Sequence, residues 1–143
     1  MGAGIAQVCA QAGWETRLYD AFPEGLEAGM ARIDSFWDSG ISRGKTTPEQ
    51  KSEWSANLSA VADLAEAVAD VDLVIEAVPE ILELKRSIFA DLDKLAPADA
   101  VLGTNTSGLR ISDIASATSR PDKVVGMHFF NPVPIMKLLE LVR

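Results

Sequence analysis

The 143-residue chain has one cysteine and one histidine, and its 13 basic residues are outnumbered by 21 acidic ones. A lone Cys9 cannot close an internal disulfide, which points to a reducing interior. Its neighbours are apolar, so Cys9 reads as a core residue. The formal net charge of −8 argues against a nucleic-acid surface, because phosphate contacts need an excess of Lys and Arg. A single phosphorylated ligand held by local groups remains compatible with that charge. No apolar run reaches the roughly twenty residues of a membrane helix, and no basic segment precedes an apolar stretch as in a signal peptide. The chain is expected in the cytoplasm or an organelle matrix, with no membrane partner. No internal repeat is visible and no metal site is expected.

What is present fits a folded protein. An apolar content of 48% over 143 residues suits one domain with a real core. Gly2 to Gly13 is small and helical in pattern, with Gly13 as its C-cap. Thr16–Tyr19 is a short strand closing on Asp20. Leu26, Met30, Ile33, Phe36 and Trp37 mark an amphipathic helix from Pro23 to about Gly44, and a second helical piece follows the Thr47-Pro48-Glu49 start. Leu58 begins a short strand and Asp63–Ala69 a short helix. Val71–Val78 is a β-branched run typical of a strand buried on both faces. Glu80–Leu95 reads as a helix with Leu82, Ile88, Phe89 and Leu92 inward, ended by Pro97. Ala100–Thr104 is a strand, Ile111–Ala117 a helix, and Lys123–Met127 a strand leading into His128. Alternation of this kind gives an α/β class with a doubly wound, mainly parallel sheet. Ligands in such sheets bind beyond the carboxyl ends of the strands. Asp20, Glu80, Asn105, Ser107 and His128 fall at or just past those ends.

Several residues there carry chemistry. His128 lies in Gly126-Met127-His128-Phe129-Phe130-Asn131-Pro132-Val133-Pro134, with Glu140 twelve residues further on. An imidazole titrates near neutrality, and a carboxylate within reach fixes its tautomer and stabilises its charged form. Spacing alone leaves the opposite reading open, a histidine in a strand-end turn with an unrelated surface glutamate. Asn105-Thr106-Ser107 groups side-chain donors suited to a carbonyl or hydroxyl oxygen, or equally a turn that caps the next helix. Glu80 fits electrostatic capping of the helix it opens, and Lys85 a solvated face of that helix. Arg43 and Lys45 form a small basic spot. Gly2 followed by an acid at Asp20 matches the end of a dinucleotide-binding signature, whose first strand and earlier glycines would precede Met1.

Taken together, Asn105-Thr106-Ser107, the His128 block and Met136-Lys137-Leu138-Leu139-Glu140 strongly resemble the L-3-hydroxyacyl-CoA dehydrogenases, over the whole chain. The resemblance implies a Rossmann-type NAD-binding domain over residues 1–143, lacking its first strand and first two loop glycines. It also implies that the helical domain that follows in relatives, with the homodimer it forms, lies outside this chain. By resemblance His128 is the catalytic base, Glu140 orients and polarises it, Ser107 lies near the substrate oxygen, and Asn131 belongs to the same signature turn. Gly2, Asp20, Glu80, Lys85 and Asn105 match cofactor-binding positions, and an acid at Asp20 favours NAD over NADP. The implied reaction is oxidation of a 3-hydroxyacyl-CoA to the 3-oxoacyl-CoA, or its reverse. Phe36 and Trp37 depart from the family's acyl-CoA contacts, while Arg43 or Lys45 is placed to meet a CoA phosphate. A dehydrogenase of a non-CoA hydroxy acid and a non-catalytic dinucleotide-binding relative are the alternatives. A fragment of this extent is expected to be weakly active or inactive alone.

Overall fold

The computed structural model describes residues 1–143 throughout. In chain order the elements are α1 (Gly2–Gln11), β1 (Thr16–Tyr19), α2 (Pro23–Ser42), α3 (Pro48–Ala56), β2 (Leu58–Val61), α4 (Leu64–Val68), β3 (Leu73–Glu76), α5 (Leu82–Leu95), β4 (Val101–Thr104), α6 (Ile111–Ala115), a 3-10 turn (Pro121–Lys123), β5 (Val124–Phe129) and β6 (Leu139–Val142). No helix is long and apolar enough to cross a membrane.

The chain divides into two compact units. One comprises Met1–Ala67 with Pro132–Ile135, the other Val68–Asn131 with Met136–Arg143. The first holds a two-stranded parallel sheet, β1-β2, and the second a four-stranded sheet in the order β3-β4-β5-β6. β1 is laddered only to β2, and β3 only to β4.

In the first unit, α1 ends at Gln11 with Ala12 as its C-cap, one residue before the expected Gly13, which takes the turn that follows. The Gly13 φ of +90° lets Trp14 N–H reach Cys9 O and Gly13 N–H reach Ala10 O, each at 3.1 Å, and a residue with a Cβ resists that left-handed conformation. The inward stripe of α2 is Leu26, Gly29, Ile33 and Trp37. Phe36 falls one position off that stripe and is exposed, whereas Trp37 is buried and donates Nε1–H to Gln11 Oε1 at 3.1 Å. Thr47 and Gln50 form a reciprocal capping box at the start of α3. Cys9 is half-buried, and burial pushes its thiol pKa up.

In the second unit, Phe89, Leu92, Leu102, Ile114 and Val124 make the core. The strand read as Val71–Val78 shortens to β3, and its most buried residue is the acid Glu76. Helix α5 begins at Leu82, not at Glu80, and Lys85 shares its buried stripe with Phe89 and Leu92. Strand β5 runs on through His128 to Phe129. Beyond it lies β6, a strand the hydropathy pattern did not announce, antiparallel to β5 and exposed at all four residues. Gly126 allows that close approach, since an added Cβ would stand 3.1 Å from Val142 Cβ and 2.9 Å from Ile111 Cδ1.

Candidate active site

The β5-β6 register places Gly126 against Val142, Met127 against Leu141, His128 against Glu140 and Phe129 against Leu139. Directly opposed residues of an antiparallel pair put their side chains on one face of the sheet. His128 Nδ1 accordingly lies 3.5 Å from Glu140 Oε1, with the His128 side chain 24% exposed. That separation exceeds an ordinary hydrogen bond. The Phe130 ring packs against the imidazole with centroids 4.6 Å apart. No hydrogen bond or ion pair engages Nε2.

The turn after β4 sits beside this pair. Asn105 Oδ1 accepts Phe129 N–H at 2.8 Å, and Asn105 N–H donates to Glu76 O at 2.8 Å. The residue adjoining His128 is thus tied to two other strand ends. Ser107 is exposed and its hydroxyl has no protein partner, while Asn131 is exposed just beyond β5.

Neither Glu80 nor the 105–107 turn supplies a side-chain cap bond to the helix that follows it. Glu80 precedes the N-cap residue Ile81, and helix α6 has Arg110 as N-cap without a side-chain bond. The two are instead bonded to each other. Glu80 Oε1 accepts from Thr106 Oγ1, from Ser107 N–H at 3.3 Å and from Gly108 N–H at 3.4 Å. Its Oε2 lies 3.3 Å from Lys85 Nζ. Burial pushes the Glu80 pKa up, but the Thr106 hydroxyl, the Lys85 charge and the Gly108 N–H outweigh it, leaving the carboxyl below its usual range.

Lys85 does not solvate a helix face. It is 1% exposed, with Nζ 2.8 Å from Glu76 Oε1. Glu76 Oε2 accepts from Thr104 Oγ1 at 2.7 Å, and Oε1 also accepts Val78 N–H at 2.8 Å. Glu76 and Thr104 were missed as site residues. A charge inside an otherwise apolar strand was the available signal, since a buried carboxylate needs a partner.

In the first unit, Asp20 follows β1 and its Oδ1 accepts Phe22 N–H at 2.9 Å. An apolar-walled cavity of about 260 Å³ adjoins it, lined by Pro23, Leu26, Met30 and Ala62 among others. Gly2 opens α1, whose N-cap Met1 gives no side-chain bond. The close-approach glycine is Gly4, where an added Cβ would stand 3.1 Å from Val133 Cβ. Arg43 and Lys45 are exposed at the end of α2.

Over residues 1–143 the chain matches the family described as 3-hydroxyacyl-CoA dehydrogenase, NAD binding domain. It belongs to that family. It is 42% identical over 143 residues to the probable 3-hydroxybutyryl-CoA dehydrogenase of Bacillus subtilis, covering 100% of this chain and 50% of that protein. With the 3-hydroxyadipyl-CoA dehydrogenase of Escherichia coli it shares 44% identity over 142 residues, 99% of this chain and 30% of the other. The crystal structure of M. tuberculosis FadB2 superposes with a TM-score of 0.95 at 42% identity, covering 100% of this chain and 50% of that one. The chain therefore spans half or less of the length of these relatives. The family is enzymatic, its fold is the Rossmann-like α/β arrangement seen here, and its cofactor is NAD.

Proposed function

We propose that the protein carrying this chain oxidises an L-3-hydroxyacyl-CoA to the 3-oxoacyl-CoA, or runs the reverse, with His128 as general base and acid. The observation that carries the reading is the His128–Glu140 pair, opposed across the β5-β6 ladder with Nε2 unpartnered. The substrate's 3-hydroxyl gives its proton to Nε2. Glu140, on the Nδ1 side, fixes the tautomer and stabilises the imidazolium that forms. Ser107, whose hydroxyl has no protein partner, and Asn131 hold the substrate oxygen.

The residues present fit NAD. Asp20 offers its carboxylate to a ribose hydroxyl and repels a 2′-phosphate, which selects NAD against NADP. The apolar cavity beside it suits a flat ring. Gly2 opens a helix whose first N–H groups carry no side-chain cap, a setting that favours a pyrophosphate. Glu80 and Asn105 are assigned to the nicotinamide end, and Lys85 acts there from behind Glu80, since it is too buried to touch a cofactor itself. When bound, NAD supplies the acceptor for the hydride that leaves C3.

Relatives named for a butyryl and for an adipyl thioester, at 42% and 44% identity, support a 3-hydroxyacyl-CoA class without favouring one acyl chain. The test is His128→Gln in the full-length protein, assayed with acetoacetyl-CoA and NADH. Turnover is expected to fall by roughly 10²- to 10⁴-fold, the usual share of a general base, with NADH affinity little changed. Unchanged turnover overturns the assignment.

A further inference from the structure

We infer that Glu76 and Lys85 are positioning residues, a buried ion pair that sets the Glu80 carboxylate and, through it, the turn carrying Asn105 and Ser107. The inference rests on the proposed reaction, in which that turn faces substrate and cofactor.

The geometry has a direction. Glu76, 2% exposed, is held at both oxygens: Thr104 Oγ1 donates to one, and Val78 N–H with Lys85 Nζ to the other. Thr104 is also the register partner of Glu76 on β4, so the pair is fixed to the strand that leads into the turn. The Lys85 ammonium, pinned at 2.8 Å on Glu76, has Glu80 Oε2 at 3.3 Å as its second carboxylate. The remaining oxygen of Glu80 faces the turn and gathers Thr106 Oγ1 and the N–H groups of Ser107 and Gly108. Thr106 Oγ1 in turn accepts Leu109 N–H at 3.0 Å, closing the turn on itself.

Stability alone gives no reason for these charges. A buried ion pair is costly to desolvate, and an apolar pair of similar volume often serves a fold as well or better. What an apolar pair cannot do is hold a second, partly exposed carboxylate in one orientation. Two carboxylates around one ammonium leave a net negative charge, and Glu80, 41% exposed, is where it meets solvent. The lowered pKa of Glu80 keeps that charge in place. No buried polar side-chain atom lacks a partner, so the network is complete.

The experiment is a double-mutant cycle in the full-length protein with Lys85→Met, Glu80→Gln and the two combined. NADH titration is read alongside cofactor-free amide exchange of residues 105–109. Lys85→Met is expected to weaken NADH binding on the order of tenfold, the scale of one charge-assisted hydrogen bond, and to speed exchange at Ser107 and Gly108. Added to Glu80→Gln, it is expected to change neither further. Glu76→Gln keeps the shape and the Thr104 contact and is expected to shift both readouts the same way by less; it serves as the arm if Lys85→Met fails to fold. Additive effects in the cycle, or turn amides that exchange as before in both variants, overturn the inference. Because exchange is read without cofactor, a protein that fails to bind NADH would refute the dehydrogenase reading while the exchange data still decide the positioning role.

Discussion

Asn105 Oδ1 accepts the backbone N–H of Phe129 at 2.8 Å, tying the turn after β4 to the residue that follows His128. An asparagine side chain here replaces a ladder bond that β4, which ends at Thr104, can no longer supply. The position of the imidazole thus depends on a side chain two residues from Ser107. One hydrogen bond couples the proposed base to the proposed substrate-holding turn.

Asn105→Ala removes that bond and leaves a half-buried N–H without its partner. The expected cost is about 1 kcal/mol of stability, read from the urea midpoint. Turnover is expected to fall more than that loss implies, because His128 loses its tether. Turnover that stays at the parent value in a folded variant would show that β6 alone positions the histidine.

Glu140→Gln keeps the side-chain shape across the ladder and removes the charge. The imidazolium then forms without its carboxylate, so turnover in the full-length protein is expected to fall, by less than with His128→Gln because Glu140 is 59% exposed and water screens part of its effect. A fall as large as that of His128→Gln would point to a direct role for Glu140 in the proton transfer.

The parts of this arrangement that were legible in the sequence, and those that were not, divide on physical grounds. Helix α2 announced itself because Leu26, Ile33 and Trp37 repeat at helical spacing over about three turns. Strand β6 did not: it is four residues long, exposed throughout and at a sheet edge, and its Leu-Glu-Leu alternation is too short to mark a strand. Its absence from the hydropathy reading also hid the one fact that brings His128 and Glu140 together. Lys85 read as solvated because a lysine on a helix usually is, and only Glu76 inside the apolar run hinted otherwise. The division into two sheets reflects which strand edges are laddered, and apolar patterning within a strand does not record its neighbours.

The stability of the second unit is expected to depend on pH through Asp93. Ser119 N–H donates to Asp93 Oδ2 at 2.8 Å and Arg120 Nε to Oδ1 at 2.9 Å. The Ser119 N–H holds the carboxyl below its ordinary value; burial opposes this, and Arg120 with the Ser119 hydroxyl reinforces it. A depressed folded pKa contributes stability that is complete above the unfolded value of about 3.9 and is lost as pH falls through the folded one. Denaturant midpoints measured downward from pH 5 should therefore drop less steeply in Asp93→Asn than in the parent. Parallel curves would remove Asp93 from the acid response.

Trp37→Phe tests a contact inside the first unit. The indole N–H reaches Gln11 Oε1 at 3.1 Å, which also accepts from Gln7 Nε2 at 3.0 Å, and the ring lies 5.8 Å from that of Trp54. Phenylalanine keeps most of the apolar area and loses the donor. A destabilisation of about 1–2 kcal/mol is expected from the lost bond and the small void. NADH affinity should not change, since neither Trp37 nor Gln11 is assigned to the cofactor.

Gly25→Ala separates helix stability from cofactor recognition. Glycine within a helix is less favourable than alanine by about 1 kcal/mol, yet Gly25 stands in the first turn of α2. The reason is its neighbour: an added Cβ would lie 2.7 Å from Asp20 Oδ2 and 2.9 Å from Asp20 Cγ. Alanine therefore forces the Asp20 carboxylate to turn away and strains its bond with Phe22 N–H. If Asp20 holds the ribose, the variant should bind NADH more weakly, by roughly the tenfold that one hydrogen bond to a charged group provides. Asp20→Ala should weaken binding further and relax the preference for NAD over NADP. A Gly25→Ala protein with parent affinity would mean that Asp20 reaches the cofactor from another rotamer, and the glycine would then serve only the packing of the turn.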